Sequence, residues 1–214
     1  MKKIIGMVGR AGSGKNTAAD CLAPYGYRVV AFADALYKEV ASAFRVSEEF
    51  LRSRPNKETP QLELALRECC NREFVSMLSI LGDGEAAEEA NKARSPREIL
   101  QRWGTEFRLA QDHLYWVNQL RNVMETDGGK FAISDVRFLH EANALRQMDA
   151  ILVRVRRASS DIKPATHDSE RFVGSIIVDH DVYNPQNRQE QFCEDILSQV
   201  LGLQGFETAC EVQP

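Results

Sequence analysis

The sequence predicts an α/β fold in which one five-stranded parallel sheet is flanked by helices. Short runs of apolar, often β-branched residues alternate along the chain with segments of helical periodicity, the pattern of repeated strand–helix–strand units. The first strand leads directly into a glycine-rich loop and then a helix, an order typical of sheets that bind an anion at their carboxyl edge. The 214 residues suffice for one such domain, 1–214, with an inserted subdomain.

The apolar runs predict strands at 2–8, 28–33, 130–134, 151–155 and 175–178. Helices are expected at 15–23, 35–44 and 187–201, and another begins near 141. Residues 35–127 show no buried-strand pattern and their apolar residues recur at helical spacing, so this stretch is predicted to be a helical insertion. Residues 156–172 are mostly polar and predict a lid-like loop after the fourth strand.

The glycine-rich loop, residues 9–17, reads GRAGSGKNT. Glycines let backbone N–H groups turn toward a phosphate, and the N-terminus of the following helix adds its positive dipole end. Lys15 is placed to reach the β- and γ-phosphates of a nucleotide, so the loop predicts the P-loop NTPase class. Asn16 stands where a hydroxyl normally follows the lysine. The Gly-Lys-x-Thr arrangement is similar to that of nucleoside monophosphate kinases, which implies that Thr17 is the hydroxyl beside Mg²⁺. The alternative is a strand-to-helix turn that binds no ligand. The residues expected to contact ATP are Gly12, Ser13, Gly14, Lys15, Asn16 and Thr17.

Composition argues against several classes of partner. The chain has 31 acidic and 27 basic residues, a net charge of −4, which does not suit a general nucleic-acid binder. No apolar run is long enough to cross a membrane. The five cysteines form no Cys-x-x-Cys pair and their number is odd, which favours a reducing compartment, and we expect a cytoplasmic protein.

Charged side chains follow the predicted strands at the edge where ligands bind. Asp135 comes directly after the third strand and is a candidate to hold Mg²⁺ through water. Arg137 lies two residues on, and an extended chain places both side chains on one side, so Arg137 is a candidate phosphate ligand. An internal ion pair between the two is the alternative. Asp34 follows the second strand and is either a catalytic and acceptor-binding group or a helix cap.

Five further arginines are candidates for binding phosphate. Arg102 and Arg108 lie in the insertion and are candidate ligands of an acceptor phosphate, with a surface position as the alternative. Arg154, Arg156 and Arg157 cluster at the end of the fourth strand, where three positive charges repel unless anions neutralise them. Arg156 is predicted to act on the transferring phosphoryl group because it lies further into the loop than Arg154.

Segments spread over most of the chain resemble the phage-type deoxynucleoside monophosphate kinases. They are 9–20, 32–34, 103–108, 133–142 and 167–170, and the stretch SDVRF at 134–138 is the most specific. The resemblance implies a sheet order of 2-3-1-4-5 and an insertion that binds the acceptor nucleotide. It implies transfer of the γ-phosphoryl of ATP to a deoxynucleoside 5′-monophosphate, with Mg²⁺ as cofactor. Because the acceptor is already an anion, positioning and charge neutralisation are expected to suffice. The expected catalytic residues are then Lys15, Asp34, Arg137 and Arg156.

Two departures from that family concern the choice of substrate. Asn16 stands where an Asp is expected, and residues 179–181, DHD, stand where an Asn-containing turn is usual. The nearest rival is a dephospho-coenzyme-A kinase, in which Asp34 would serve as base toward a hydroxyl acceptor. A non-catalytic nucleotide-binding regulator is the rival of another class. The SDVRF stretch argues against the first rival, and the arginine cluster argues against the second. Expected partners are ATP and a deoxynucleoside monophosphate, with neither nucleic acid nor a membrane. Association as a homodimer is left open, and a phage-encoded protein is expected in the host cytoplasm.

Overall fold

The computed structural model describes residues 3–81, 86–161, 173–185 and 187–202. The chain divides into two compact units. The first comprises Met1–Ala31 and Val123–Pro214, and the second comprises Phe32–Asn122, where the sequence predicts an insertion over 35–127. Of the predicted lid, 156–172, residues 162–172 lie outside the described residues.

The first unit is built on a parallel sheet. Its strands are β1 (Ile4–Val8), β2 (Tyr27–Val30), β3 (Lys130–Val136), β4 (Ile151–Arg156) and β5 (His180–Tyr183). All neighbours pair in parallel in the order β2-β3-β1-β4-β5, which confirms the predicted fold and order. The described α-helices of the whole chain are α1 (Lys15–Asp20), α2 (Phe32–Phe44), α3 (Glu48–Arg52), α4 (Arg72–Leu81), α5 (Ala86–Asn91), α6 (Pro96–Gln101), α7 (Tyr115–Asp127), α8 (Leu139–Gln147), α9 (Ala158–Asp161) and α10 (Gln189–Leu201).

The alternation of β1 explains why the sheet is covered on both faces. Ile5 and Met7 are fully buried in one core cluster with apolar residues of α1 and α10. Gly6 faces the other way, where a Cβ atom would lie 3.0 Å from Leu145 Cδ1 of α8 and 2.8 Å from Leu152 Cδ2 of β4. Only a residue without a side chain lets α8 approach this closely.

Strand five lies later in the chain than predicted. The apolar run at 175–178 is not a strand, because Val173–Ser175 forms a 3₁₀ turn and Ile177 is 78% exposed. The chain joins β4 at Asp179, whose backbone N–H donates to the Leu152 carbonyl oxygen at 2.8 Å and whose carboxylate accepts from the Leu152 N–H at 2.8 Å. β5 then buries only Val182, as a short, charged edge strand can.

Strand two also ends earlier than predicted. The prediction continued it through residue 33, but β2 ends at Val30 and α2 begins at Phe32. The apolar residues of the first helical turn continue the strand's apolar run, and the sequence alone does not separate them. As a result Asp34 lies in the first turn of α2.

The second unit is helical, and among its described residues the only β-type pairing is an isolated antiparallel bridge between Gln61 and Arg94. A π-helix, Arg102–Leu109, continues α6 without interruption. Gly104, a poor helix former, lies inside this π-helix. The unit's aromatic core joins Phe74 to Trp103, with ring centroids 4.6 Å apart, and to Phe107 at 5.5 Å.

A disulfide between Cys21 and Cys193 ties the end of α1 to α10. The expectation of reduced cysteines did not foresee this pairing, because the two residues lie 172 positions apart and no local spacing marks them. None of the helices that the structure describes combines the length and the apolar character needed to cross a membrane.

Candidate active site

The phosphate loop joins β1 to α1 and curls around its own lysine. Gly12 and Gly14 have φ values of +79° and +102°, a left-handed conformation that favours glycine. A Cβ atom on Gly9 would lie 2.6 Å from both Ser13 Oγ and the carbonyl oxygen of Val155, so a side chain would fill the loop. The tight curve is therefore encoded by these glycines.

Lys15 lies inside this loop and is only 7% exposed. Its ammonium donates to the carbonyl oxygens of Gly9 and Arg10, each at 2.8 Å. Within the described part of the chain, the hydroxyl of Ser13 is buried and has no hydrogen-bond partner. A buried donor and a held ammonium in one loop fit an anion that comes from outside the chain.

Asp135 lies at the end of β3, beside the phosphate loop. β1 and β3 are neighbours, and the pairing of Val8 with Val136 brings Asp135 next to the point where the loop begins. Among the described residues, no three His, Cys, Asp or Glu side chains group as metal ligands would. Mg²⁺ usually keeps several waters and takes one or two protein oxygens beside substrate phosphates, and the Thr17 hydroxyl and Asp135 carboxylate are oxygen donors of that kind.

Glu141 is a buried carboxyl group that the sequence analysis did not assign to the site. It accepts hydrogen bonds from the backbone N–H groups of Arg137 at 2.8 Å and Phe138 at 3.0 Å, and so caps α8. Burial raises the pKa of Glu141 to about 8, and the nearby charge of Asp135 adds to the rise, while the two backbone donors and Arg137 oppose it. Glu141 thus fixes the turn that carries Arg137, whose side chain is exposed.

The three arginines after β4 have different surroundings. Arg154 donates to the carbonyl oxygens of Gly174 at 3.3 Å and Ile176, and lies 3.5 Å from Asp181. Arg156 pairs with the same Asp181 at 3.1 Å and is half exposed. The Nε atoms of Arg154 and Arg157 are both buried and have no hydrogen-bond partner among the described residues. Within those residues, no side-chain ion pair or hydrogen bond compensates the charge of Arg157 as the carbonyls and Asp181 do that of Arg154.

In the second unit, Asp34 is held by an arginine that the sequence analysis missed. Arg52 donates to Asp34 Oδ1 at 2.9 Å and to Glu48 Oε2 at 3.2 Å, and its guanidinium lies 4.0 Å from the ring centroid of Tyr37. The hydrogen bond to Arg52 fixes the direction of the Asp34 carboxylate. Asp34 therefore pairs with a side chain outside α2 in addition to lying in the first turn of that helix.

Glu39 is the centre of a partly buried polar cluster in the same unit. Its Oε2 accepts from Trp103 Nε1 and from Arg108 Nε, each at 2.8 Å, and its Oε1 accepts from the hydroxyl of Tyr115. The guanidinium of Arg108 also lies 4.8 Å from the ring centroids of Phe107 and Tyr115. Burial raises the pKa of Tyr115 to about 12, and Glu39 adds to the rise. The cluster orients Arg108 from several sides.

Arg102 has a different setting from Arg108. It lies 3.4 Å from a Glu98 carboxylate oxygen and 3.3 Å from one of Glu106, so two acidic side chains share its charge. Trp103 is 2% exposed and cannot stack on a base, and the indole N–H of Trp116 donates to the Gly104 carbonyl oxygen at 3.2 Å inside the unit. These two tryptophans pack the core and satisfy the π-helix backbone.

The predicted site residues thus fall in both units. The first unit contains the phosphate loop with Lys15 and Thr17, and also Asp135, Arg137 and Arg156. The second unit contains Asp34, Arg102 and Arg108.

A family model for deoxynucleotide monophosphate kinases matches residues 56–188 of the chain. A protein of Acanthamoeba polyphaga mimivirus that carries the name deoxynucleotide monophosphate kinase is 29% identical over 218 residues, covering 91% of this chain and 94% of the relative. The deoxynucleoside-5′-monophosphate kinase of Escherichia phage T5 is 24% identical over 229 residues, covering 86% and 90%. Among solved structures, the dephospho-CoA kinase of Campylobacter jejuni covers 94% of this chain and 98% of its own, with 13% identity and a TM-score of 0.46, a likeness too low to identify a function.

Proposed function

This chain belongs to the deoxynucleotide monophosphate kinase family, and we propose on that premise that it transfers the γ-phosphoryl of ATP to a deoxynucleoside 5′-monophosphate. An oxygen of the acceptor phosphate forms a bond to the γ-phosphorus, the bond from that phosphorus to the bridging oxygen of ATP breaks, and ADP leaves. The observation that carries the proposal is the phosphate loop, with Lys15 held inside it and Asp135 at the adjacent strand end.

The loop supplies most of what the donor nucleotide needs. Its backbone N–H groups and Lys15 bind the phosphates and neutralise charge as the bond to the γ-phosphoryl group breaks. Thr17 and Asp135 fit the oxygen donors expected around Mg²⁺. When bound, Mg²⁺ neutralises charge on the phosphates and orients them. A deoxynucleoside monophosphate is already ionised, so the reaction requires no strong base from the chain.

The acceptor is proposed to bind through Arg108, Arg137 and Asp34. Arg108 is favoured over Arg102, because Glu39 and two rings hold its guanidinium in one orientation while two carboxylates compensate the charge of Arg102. A guanidinium fixed in this way loses little side-chain freedom when it grips a phosphate. The backbone of Arg137 is fixed by Glu141, which favours a positioned role for its exposed side chain.

Arg156 remains the proposed arginine for the transferring phosphoryl group. Its pairing with Asp181 means that it must exchange one carboxylate for the γ-phosphoryl group as it acts. Arg157, with its buried and unpartnered Nε, is the second candidate for this role. Arg154 is favoured less, since its contacts to backbone carbonyls tie it to the turn before β5.

The experiment that tests the function is a phosphoryl-transfer assay with purified protein, MgATP and a panel of acceptors. The panel contains the four common deoxynucleoside monophosphates, the matching ribonucleotides and dephospho-coenzyme A. ATP-dependent formation of a deoxynucleoside diphosphate supports the proposal. Turnover of dephospho-coenzyme A alone would support the rival kinase, for which Asp34 would be the base. Nucleotide binding with no transfer to any acceptor would support a regulator.

A further inference from the structure

The turn that follows β5 reaches across to the phosphate loop. The side-chain amide of Asn184 donates from Nδ2 to the carbonyl oxygen of Ser13 at 2.9 Å. The backbone N–H of the same residue donates to the carbonyl oxygen of Arg156 at 2.7 Å. One residue therefore joins the end of β4 to the phosphate loop, and all three residues belong to the first unit.

The fit between Asn184 and the loop is close. A Cβ atom on Gly14 would lie 2.1 Å from Asn184 Nδ2, so any side chain at position 14 would displace the amide. Gly14 also has a φ of +102°. Glycine is thus required at this position for the approach of Asn184 as well as for the backbone conformation.

The hydrogen bond acts on the peptide unit that joins Ser13 to Gly14. A trans peptide is planar, and its C=O and N–H groups point in opposite directions. No cis peptide bond occurs among the described residues. When Asn184 holds the Ser13 carbonyl on its own side, the N–H of Gly14 must point to the other side, where it is available to a phosphate.

We propose that Asn184 is a positioning residue for ATP: it fixes the Ser13–Gly14 peptide so that the Gly14 N–H faces the phosphates. The proposal rests on the proposed function of the loop as the ATP site. Asn184 itself does not touch the nucleotide in this scheme. It acts through the orientation of one backbone donor, which is a small and specific effect.

Two substitutions separate this role from a general loss of structure. Asn184→Ala removes the donor and leaves the Ser13 carbonyl to water. Its affinity for MgADP should fall about three- to tenfold, the equivalent of one lost hydrogen bond. Asn184→Asp keeps the shape but sets a carboxylate against the carbonyl and adds a negative charge near the phosphates. The loss of MgADP affinity should be larger in this variant than in Asn184→Ala, and it should become smaller as ionic strength rises. Gln191→Ala and Gln191→Glu, on the exposed face of α10, are the matched controls.

Titration calorimetry with MgADP, steady-state kinetics and thermal unfolding are measured on the whole protein. The proposal expects weaker MgADP binding and a higher KM for ATP, with the acceptor KM and the melting temperature near those of the controls. Wild-type MgADP affinity in both variants would overturn it, as would an equal rise of both KM values with a lowered melting temperature. If the Asp variant does not fold, the Ala variant decides alone. If the variants lose MgADP affinity while the wild type phosphorylates no deoxynucleotide, this inference stands and the proposed function fails.

Discussion

Glu39 offers a test of how the second unit holds its candidate phosphate ligand. Glu39→Ala removes an acceptor that serves three donors, Trp103, Arg108 and Tyr115. The indole N–H of Trp103 is buried, and leaving it unpaired costs about 1–3 kcal/mol. Arg108, 20% exposed, loses a charge-assisted bond of about 1.5–3 kcal/mol, whereas Tyr115 can turn its hydroxyl to water at little cost.

The expected total is about 2.5–6 kcal/mol of unfolding free energy, a large part of the roughly 5–15 kcal/mol that a domain has. Glu39→Gln keeps an oxygen that accepts hydrogen bonds and should cost only about 1–2 kcal/mol. Urea unfolding followed by tryptophan fluorescence measures both values. The chain has only two tryptophans, Trp103 and Trp116, and both lie in this unit, so the signal reports on it directly.

Glu125→Gln is the control, because this exposed carboxylate on α7 should change stability by less than about 0.5 kcal/mol. Glu39→Gln should also raise the KM for the deoxynucleotide, since Arg108 loses the charge that orients it, while the KM for ATP should stay unchanged. A loss below about 1 kcal/mol for Glu39→Ala would refute the reasoning, because the bonds to Trp103 and Arg108 could not then depend on this carboxylate.

Three further predictions concern the first unit. Lys15→Met should lower kcat on the order of 10²–10³ while circular dichroism shows a folded protein, and near-normal turnover would remove the phosphate-loop assignment. Arg137→Ala should mainly raise the acceptor KM and Arg156→Ala should mainly lower kcat, in steady-state kinetics with each substrate varied in turn. The third is a pH effect: the pKa of Glu141 is raised from 4.5 to about 8, so the folded state binds this proton more tightly than the unfolded chain does. The stability that this group contributes is full below the unfolded pKa and is lost as pH rises through about 8. In metal-free urea unfolding, Glu141→Gln should therefore make the free energy of unfolding fall less steeply over this pH range. An unchanged pH dependence in the variant would contradict the burial argument.

The parts of this protein that could be predicted from sequence are those encoded by neighbouring residues. The loop at 9–17 was found because glycines with positive φ and a lysine at fixed spacing are local features. The sheet order came from the family resemblance and is confirmed. Strand five was misplaced because an edge strand with one buried side chain shows no apolar alternation, while the apolar run before it is a turn.

Partners that are distant in sequence could not be predicted. Glu39 lies 64 residues from Trp103 and 76 from Tyr115, and Asn184 lies 171 residues from Ser13. Neither Glu39 nor Asn184 belongs to a local sequence motif that marks its role. The role depends on which helices and strands the fold brings beside the residue. The family resemblance predicts an Asn-containing turn at 179–181, where this chain has DHD. The turn after β5 does carry an asparagine, three residues further on, at Asn184.

The candidate arginines can be ranked by what already compensates their charge. Arg154 is held by backbone carbonyls of the turn before β5, so its loss should loosen that turn and lower stability before it touches catalysis. Arg156 shares Asp181 with Arg154, and at half exposure this pair contributes little to stability, so it can be exchanged for a phosphate at small cost. Arg157 has a buried Nε with no partner in the described chain, an arrangement that an incoming anion would complete. If Arg156→Ala leaves kcat unchanged, Arg157→Ala is therefore the variant that should lower it.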